Sequence, residues 1–218
     1  PWSRRTLPIA LALCALLALL LAFDGALSER VVAFEAVKSN HVALRDWMYI
    51  WRASGKLGTW IVIAIAVALV TRDARRRGPQ FALRTPFAAA LTLTVIASGL
   101  VAELAKLPIR RLRPSADVGV FAMRAWNDKP FDAGGLSMPS SDAAIAFGAA
   151  FLLTRVFPAA WPVWMFFALG CGFARVVERQ HFPSDICGGA LVGLLTAHVV
   201  WRFFERRRER AQSAATSP

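Results

Sequence analysis

Apolar residues in this chain gather in long uninterrupted stretches separated by short polar segments. Six stretches are apolar enough to cross a bilayer, although several are shorter than the roughly 20 residues of a typical spanning helix. They cover residues 7–23, 57–71, 86–105, 143–157, 159–177 and 184–204. The pattern predicts an all-α polytopic membrane protein built as a bundle of six transmembrane helices.

The segment between the first two stretches, residues 24–56, is too polar to span a bilayer. Its apolar residues have the spacing that is typical of a helix lying on a membrane surface. The aromatic residues that would anchor this region at the interface are Trp47, Tyr49, Trp51 and Trp60. The sequence therefore predicts an interfacial helical segment after the first transmembrane helix.

The first apolar stretch follows Arg4 and Arg5, as the core of a cleaved signal peptide would. Its length and the weak cleavage pattern after Phe23 favour a retained helix instead. A basic tail occupies about residues 205–218, and no repeat or separate soluble domain is left over. Residues 1–218 are therefore expected to form a single membrane-embedded domain.

Composition narrows the class of protein. With 56% hydrophobic residues, a mean hydropathy of +0.47 and 18% charged residues, the chain is too apolar for a soluble domain. The net charge of +12 lies in short basic clusters between apolar stretches, which predicts a lipid bilayer and not a nucleic acid as the partner. Cys14, Cys171 and Cys187 match no metal-ligand spacing, so no metal or other cofactor is expected. The sequence leaves the oligomeric state open.

Basic residues also indicate how the chain is oriented. With six helices, the dense clusters fall on one side, which the positive-inside rule makes cytoplasmic. Their members are Arg4, Arg5, Arg72, Arg75, Arg76, Arg77, Arg84, Arg155, Arg202, Arg206, Arg207, Arg208 and Arg210. The loops 106–142 and 175–184 then share the outer face, which we expect to be the periplasmic face of a bacterial inner membrane.

These two loops hold an unusual set of polar residues next to apolar helices. The first loop contributes Lys106, Arg113 and Pro114 near its start and Pro139, Ser140, Ser141 and Asp142 at its end; the second contributes Arg175, His181, Pro183 and Asp185. Lysine and arginine suit the outer oxygens of a phosphoryl group and the charge that spreads over them during transfer. The serine pair stands where a helix N-terminus exposes backbone N–H groups, which also favour an anion. The set predicts a phosphate site.

His181 is the one histidine placed among these groups. An imidazole held in the right tautomer can attack phosphorus and carry the phosphoryl group covalently. Asp185, four residues later, is the natural carboxylate to orient it. Because Pro183 keeps Phe182 out of helical geometry, we expect His181 just ahead of the last helix and Asp185 in its first turn.

Each part has a plainer interpretation as well. Lys106, Arg110, Arg111 and Arg113 resemble an interfacial cluster that grips lipid headgroups. The serine pair with Asp142 is also an ordinary helix start, and a lone histidine is more often a loop residue. The phosphate site is preferred because all these groups occur together at membrane boundaries on one predicted side. His41 and His198 lack such neighbours and are interpreted as structural.

Three glycines near the start of the last stretch have a structural interpretation. Gly188, Gly189 and Gly193, together with Ala190, are typical of helices that pack closely in lipid.

At the motif residues the sequence resembles the type 2 phosphatidic acid phosphatase superfamily, whose three motifs read K-x6-R-P, P-S-G-H and S-R-x5-H-x3-D. The first motif is matched in full and the third departs only at Ala174, in place of serine. The second is matched by Pro139 and Ser140, while Ser141 replaces glycine and Asp142 replaces histidine. The resemblance covers nearly the whole chain, since the family's membrane members have six helices with these motifs at the same loops.

The resemblance implies metal-independent hydrolysis of a phosphate monoester or diphosphate. The phosphate contacts implied are Lys106, Arg113, Ser140, the Ser141 backbone and Arg175. The implied nucleophile is His181, oriented by Asp185. The departure at Asp142 falls on the family's general acid, and an aspartate among cations is poorly suited to donate a proton.

The sequence thus favours a lipid phosphatase that acts at the outer membrane face through a phosphohistidine. A diphosphate leaving group needs less protonation than an alkoxide, so Asp142 shifts the expectation slightly toward diphosphate lipids. Two alternatives stay open: a lipid phosphotransferase that uses the same site, and a non-catalytic protein that binds lipid phosphates. Asp142 itself has three interpretations, namely proton donor, helix cap and mark of lost chemistry.

Overall fold

The computed structural model describes residues 2–39, 42–77, 87–114 and 121–216. Within these residues the chain forms seven α-helices and no strand longer than an isolated bridge, which confirms the predicted all-α class. The helices are α1 (Trp2–Ser39), α2 (Val42–Ala53), α3 (Leu57–Arg77), α4 (Phe87–Ile109), α5 (Ser141–Val156), α6 (Trp161–Val177) and α7 (Pro183–Thr216). A 3₁₀ turn, Pro158–Ala160, joins α5 to α6.

Six of these helices, all but α2, coincide with the six predicted apolar stretches. Within the described residues, four segments are long and apolar enough to cross a membrane by themselves: Thr6–Arg30, Phe87–Ile109, Pro158–Val177 and Pro183–Arg210. A fifth candidate combines α2 and α3, which are bent by 64° at the break between them. Helix α5 has 16 residues and lies inside the bundle, where most of its side chains are buried.

The structure corrects the ends of the first and last helices. Helix α1 does not stop at Phe23 but continues to Ser39, and α7 continues past the predicted end at residue 204 to Thr216, into the basic tail. Hydropathy marks where apolar surroundings end, whereas a helix continues as long as helix-forming residues follow. The predicted interfacial segment is thus divided between the end of α1 and helix α2. His41 lies outside the described residues.

Close packing between α5 and α7 determines where the N-terminal ends of these two helices meet. A Cβ atom added at Gly193 would lie 2.6 Å from the Ala144 carbonyl oxygen and 2.6 Å from the Gly148 nitrogen. A Cβ atom at Gly189 would lie 2.5 Å from the Ser140 carbonyl oxygen. Side chains at these two positions would push the helices apart, which confirms their predicted role in close helix packing.

Arg110 organises the loop between α4 and α5. Its side chain is buried and donates hydrogen bonds to the carbonyl oxygens of Arg124, Ala125 and Asp128 at 3.1, 2.7 and 2.5 Å. Its guanidinium also lies 5.2 Å from the ring centroid of Trp126. Arg111 and Lys106 are buried too, so the interpretation of this basic cluster as a grip on lipid headgroups is wrong for these three residues.

The glycine contact predicts a difference between two chemically identical substitutions. Gly193→Ala places a methyl group against backbone atoms of α5 and should destabilise the protein by about 1–3 kcal/mol through overpacking. Gly58→Ala is the matched control, because a Cβ atom at Gly58 in α3 meets nothing within 4 Å. Thermal unfolding in detergent should show a lower midpoint for Gly193→Ala alone. Equal midpoints for the two variants would contradict the described contact between α5 and α7.

Candidate active site

The predicted site residues converge where α5 and α7 begin. The Ser140 backbone N–H donates to the Asp185 carbonyl oxygen at 3.0 Å, which joins the two helix starts directly. Lys106 reaches this point from the last turn of α4, and its ammonium lies 3.2 Å from the Ser141 hydroxyl. Arg175 arrives from the last turn of α6. Residues that are far apart in sequence therefore lie close together, as expected if the loops 106–142 and 175–184 lie on the same face.

His181 is buried immediately ahead of α7, as expected from Pro183. Its Nδ1 lies 2.9 Å from the Ser137 carbonyl oxygen. Because a carbonyl only accepts, this contact assigns the ring proton to Nδ1 and leaves Nε2 with a free electron pair in the neutral ring. Burial lowers the pKa of His181, and the charges of Arg175 and Lys106 lower it further, against an opposing effect of Asp185. The imidazole is therefore neutral near pH 7.

Asp185 lies in the first turn of α7, as predicted, but it does not hydrogen-bond to the imidazole. Its Oδ2 atom lies 3.8 Å from His181 Nδ1 and instead accepts the Phe182 backbone N–H at 2.7 Å. Its Oδ1 atom accepts from Arg111 at 3.0 Å. In this structure the Ser137 carbonyl fixes the orientation of the ring, while Asp185 supplies negative charge beside it.

Asp185 belongs to a fully buried ionic network that also contains Arg111 and Asp24, a residue of α1. Arg111 donates to Asp24 at 2.8 Å and to the Ser184 hydroxyl at 2.7 Å, in addition to Asp185. Asp24 also accepts the Ser184 backbone N–H at 3.0 Å, and the Ser184 hydroxyl donates to it. The first turn of α7 is therefore held in place by the Arg111 guanidinium and the Asp24 carboxylate.

The three predicted phosphate-binding cations each have an anionic or amide partner within the protein. Lys106 lies 2.6 Å from Glu103 Oε1, and Arg113 donates to the side-chain oxygen of Gln180. Burial and the charge of Arg175 lower the pKa of Arg113, which shows that the two guanidinium groups repel each other. An anion between them would relieve this repulsion.

Arg175 has the least complete set of partners. Its NH1 atom lies 3.1 Å from Glu178, and its Nε lies 3.1 Å from Asp142. The Nε–H is nevertheless buried without a hydrogen bond of acceptable geometry. A buried donor without a partner is costly, so a phosphoryl oxygen at this position would be favoured.

The serines and Asp142 have separate tasks at the start of α5. Ser140 is the N-cap residue, and its hydroxyl accepts the Ala143 N–H at 3.3 Å while keeping its own proton to donate. Ser141 is the first residue of the helix and contacts Lys106. Because Ser140 caps the helix, Asp142 is not needed for that purpose. Its carboxylate instead lies between Lys56, at 3.1 Å, and Arg175.

The structure adds residues that the sequence interpretation missed. The sequence could have indicated Asp24, because a carboxylate directly after an apolar stretch is costly unless it is paired. It gave no such indication for Lys56, Glu103 and the Ser137 carbonyl, since their contributions depend on contacts between distant segments. Within the described residues, no group of three or more histidine, cysteine or acidic side chains is arranged to hold a metal ion.

Comparisons with known proteins identify a family. A family model described as the PAP2 superfamily matches residues 87–209, which contain all three motif regions. Proteins named lipid A 1-phosphatase from Rhizobium johnstonii and Rhizobium etli are 37% identical over 121 and 120 residues. These matches cover 51% of this chain and 47% and 50% of those proteins, so the chain spans about half the length of the curated relatives it matches.

A solved structure resembles the fold. The crystal structure of a transmembrane PAP2 type phosphatidylglycerolphosphate phosphatase from Bacillus subtilis matches with a TM-score of 0.62 and 18% sequence identity. The match covers 90% of this chain and 96% of that one. At this level of identity the likeness shows a shared fold.

The surroundings of His181 predict an unusual titration. Its ring should stay neutral, with the proton on Nδ1, at and below the ordinary histidine pKa of about 6.5, because burial disfavours the charged form. Asp185→Asn should lower this pKa further, since the Asp185 charge raises it. Nitrogen-15 NMR of labelled histidines in detergent measures both, with His181→Gln identifying the signal. A His181 signal that titrates above pH 6.5, or carries its proton on Nε2, would contradict the described environment.

Proposed function

The chain belongs to the PAP2 superfamily, and we propose that it removes a phosphate or diphosphate group from a membrane lipid through a phosphohistidine on His181. The observation that carries the proposal is the hydrogen bond from His181 Nδ1 to the Ser137 carbonyl, at 2.9 Å. This bond leaves the free electron pair on Nε2, and the charges of Arg175 and Lys106 act on the ring. A nucleophile and the cations that stabilise a transferring phosphoryl group are thus brought together.

The reaction is proposed to need no metal ion. In phosphoryl transfer, catalysis depends on positioning and on stabilising the negative charge of the equatorial oxygens. Two guanidinium groups, one ammonium and the N-terminus of α5 supply positive charge and N–H donors here. Added divalent ions are therefore not expected to increase the rate.

An apolar cavity beside the site supports a lipid as the substrate. It has a volume of about 680 Å³ and is lined by residues of α2, α3, α4, α5 and α6, including Trp60, Ala150 and Phe167, and it approaches the site at Ser54. Ser54 is two residues from Lys56, which contacts Asp142. An acyl chain in this cavity would therefore place its headgroup near the cations, and its burial would contribute about 0.8 kcal/mol for each CH₂ group.

The two curated relatives favour one kind of lipid within this class. Both are named lipid A 1-phosphatase, so a glycolipid with a phosphate on its sugar is the first substrate to test here. Phosphatidate, phosphatidylglycerophosphate and polyprenyl diphosphate carry the same combination of apolar tail and anionic head. The outer, periplasmic position of the site is proposed from the density of arginine on the opposite side of the bundle.

Phosphate release from purified protein tests the proposal. The wild type should release phosphate from at least one member of a panel of these four lipids, with EDTA present. His181→Ala should lower the rate by at least about 10³-fold, because the nucleophile is removed. His198→Gln is the matched control, since His198 lies roughly 20 Å further along α7 and should leave the rate unchanged.

Two results would contradict the proposal. If the wild type binds the lipids but releases no phosphate, the chain is a binding protein; if release depends on an added acceptor alcohol, it is a phosphotransferase.

The same assay in sealed vesicles tests the membrane face. Vesicles that expose the outer face should hydrolyse a short-chain substrate at once, and inverted vesicles should do so only after permeabilisation.

A further inference from the structure

The elbow between α2 and α3, residues Ser54, Gly55 and Lys56, rests directly on the start of α5. The Ser54 hydroxyl donates to the Phe167 carbonyl of α6 at 3.1 Å, and its own carbonyl accepts from the Trp60 indole at 2.7 Å. A Cβ atom at Gly55 would lie 2.9 Å from the Asp142 Cβ and 2.7 Å from the Cys171 sulfur. Only glycine allows the elbow to approach this closely, so its position relative to Asp142 is fixed.

This position brings Lys56 into contact with Asp142. The Lys56 ammonium lies 3.1 Å from Asp142 Oδ2 and 3.4 Å from Oδ1. Oδ2 also lies 3.1 Å from Arg175 Nε. Both contacts use the carboxylate as an acceptor, and both donors are cationic side chains. Asp142 is therefore poorly placed to give a proton to a leaving group, whereas the lysine that it holds carries protons to give.

Exposure increases from the nucleophile to this lysine. His181 is 2% exposed, the Asp142 side chain 16% and the Lys56 side chain 49%. In phosphoryl transfer, the attacking and leaving atoms lie roughly in line on opposite sides of phosphorus. A buried nucleophile therefore directs the leaving oxygen, which stays attached to the lipid, toward the open side where Lys56 and Asp142 lie.

The other cations are less suitable proton donors. Lys106 is buried and occupied by Glu103 and Ser141. Arg113 and Arg175 carry guanidinium groups, which do not lose a proton in proteins. Lys56 is exposed enough to exchange protons with water after each turnover.

We propose that Lys56 is the catalytic proton donor to the leaving oxygen and that Asp142 positions its ammonium. This assignment rests on the proposed phosphatase activity. As His181 Nε2 bonds to phosphorus, the bond between phosphorus and the leaving oxygen breaks. That oxygen takes a proton from the Lys56 ammonium, which becomes a neutral amine. In the second step the amine takes a proton from the water that attacks the phosphohistidine, the bond between phosphorus and nitrogen breaks, and both side chains return to their starting states.

The test compares leaving groups on full-length protein in detergent. One substrate is a lipid with an alkyl phosphate, whose alkoxide needs a proton, and the other is an activated aryl phosphate, whose leaving oxygen needs little. Lys56→Gln should slow the alkyl substrate by about 10²–10⁴-fold and the aryl substrate by less than about 10-fold. Lys56→Arg keeps the charge but should behave like Lys56→Gln on the alkyl substrate, because a guanidinium does not release its proton.

A matched control and a rescue complete the test. Lys129→Gln removes the charge of another exposed lysine, in the outer loop, and should leave both rates unchanged. The double variant Lys56→Gln with Asp142→His places an imidazole donor at the neighbouring position and should recover much of the lost rate on the alkyl substrate. Thermal unfolding of each variant identifies any that have lost their fold.

The outcomes separate this assignment from the proposed function. Equal losses on both substrates, no loss at all, or full activity of Lys56→Arg on the alkyl substrate would each overturn proton donation by Lys56 while leaving the phosphatase activity intact. A wild type that hydrolyses neither substrate nor any lipid of the panel would overturn both.

Discussion

The buried contact of Arg111 with Asp24 and Asp185 is the interaction on which the arrangement of the site depends. All three side chains are fully buried, and the guanidinium also lies 4.0 Å from the ring centroid of Phe182. Removing one partner of a buried ion pair typically costs about 3–5 kcal/mol, because the other charge is left uncompensated. The network joins α1, the loop between α4 and α5, and the first turn of α7. Because Phe182 and Asp185 both contact Arg111, this junction also determines the position of the adjacent His181.

The acidic partners of Lys106 and Arg175 limit how much affinity these cations can add when a phosphate binds. Lys106 and Arg175 are paired with Glu103 and with Asp142 and Glu178, and these acceptors occupy positions that phosphoryl oxygens would compete for. A substrate must therefore replace existing contacts, and its gain in affinity is smaller than the number of cations suggests. In return, the cations are already in place, which reduces the reorganisation needed in the transition state. The Arg175 Nε–H makes no hydrogen bond of acceptable geometry although Asp142 lies 3.1 Å away, so a phosphoryl oxygen could gain more here than at the other donors.

Much of the fold and the convergence of the predicted site residues could be predicted from the sequence, because apolar stretches and motif spacing are local signals. The six apolar helices, the close packing at Gly189 and Gly193, and the position of His181 ahead of α7 were predicted from residues close to them in sequence. The lengths of α1 and α7 were not, since hydropathy does not mark the end of a helix. Nor were the roles of Asp24, Arg111 and Lys56, which arise from contacts between segments as far as 160 residues apart, the separation of Asp24 from Ser184. Arg111 was considered only as part of an interfacial basic cluster and was not assigned to the site, because sequence alone does not show that a loop arginine is buried.

The central claim is that His181 receives the phosphoryl group, and direct capture of the intermediate tests it. A lipid substrate labelled with phosphorus-32 is mixed with a stoichiometric amount of enzyme, quenched in alkali within milliseconds, digested and analysed by mass spectrometry under alkaline conditions, in which phosphohistidine survives. The account predicts that acid-labile label appears on the peptide containing His181, forms before free phosphate, and decays as phosphate is released. Turnover without label on His181, or with label on another side chain, would contradict it.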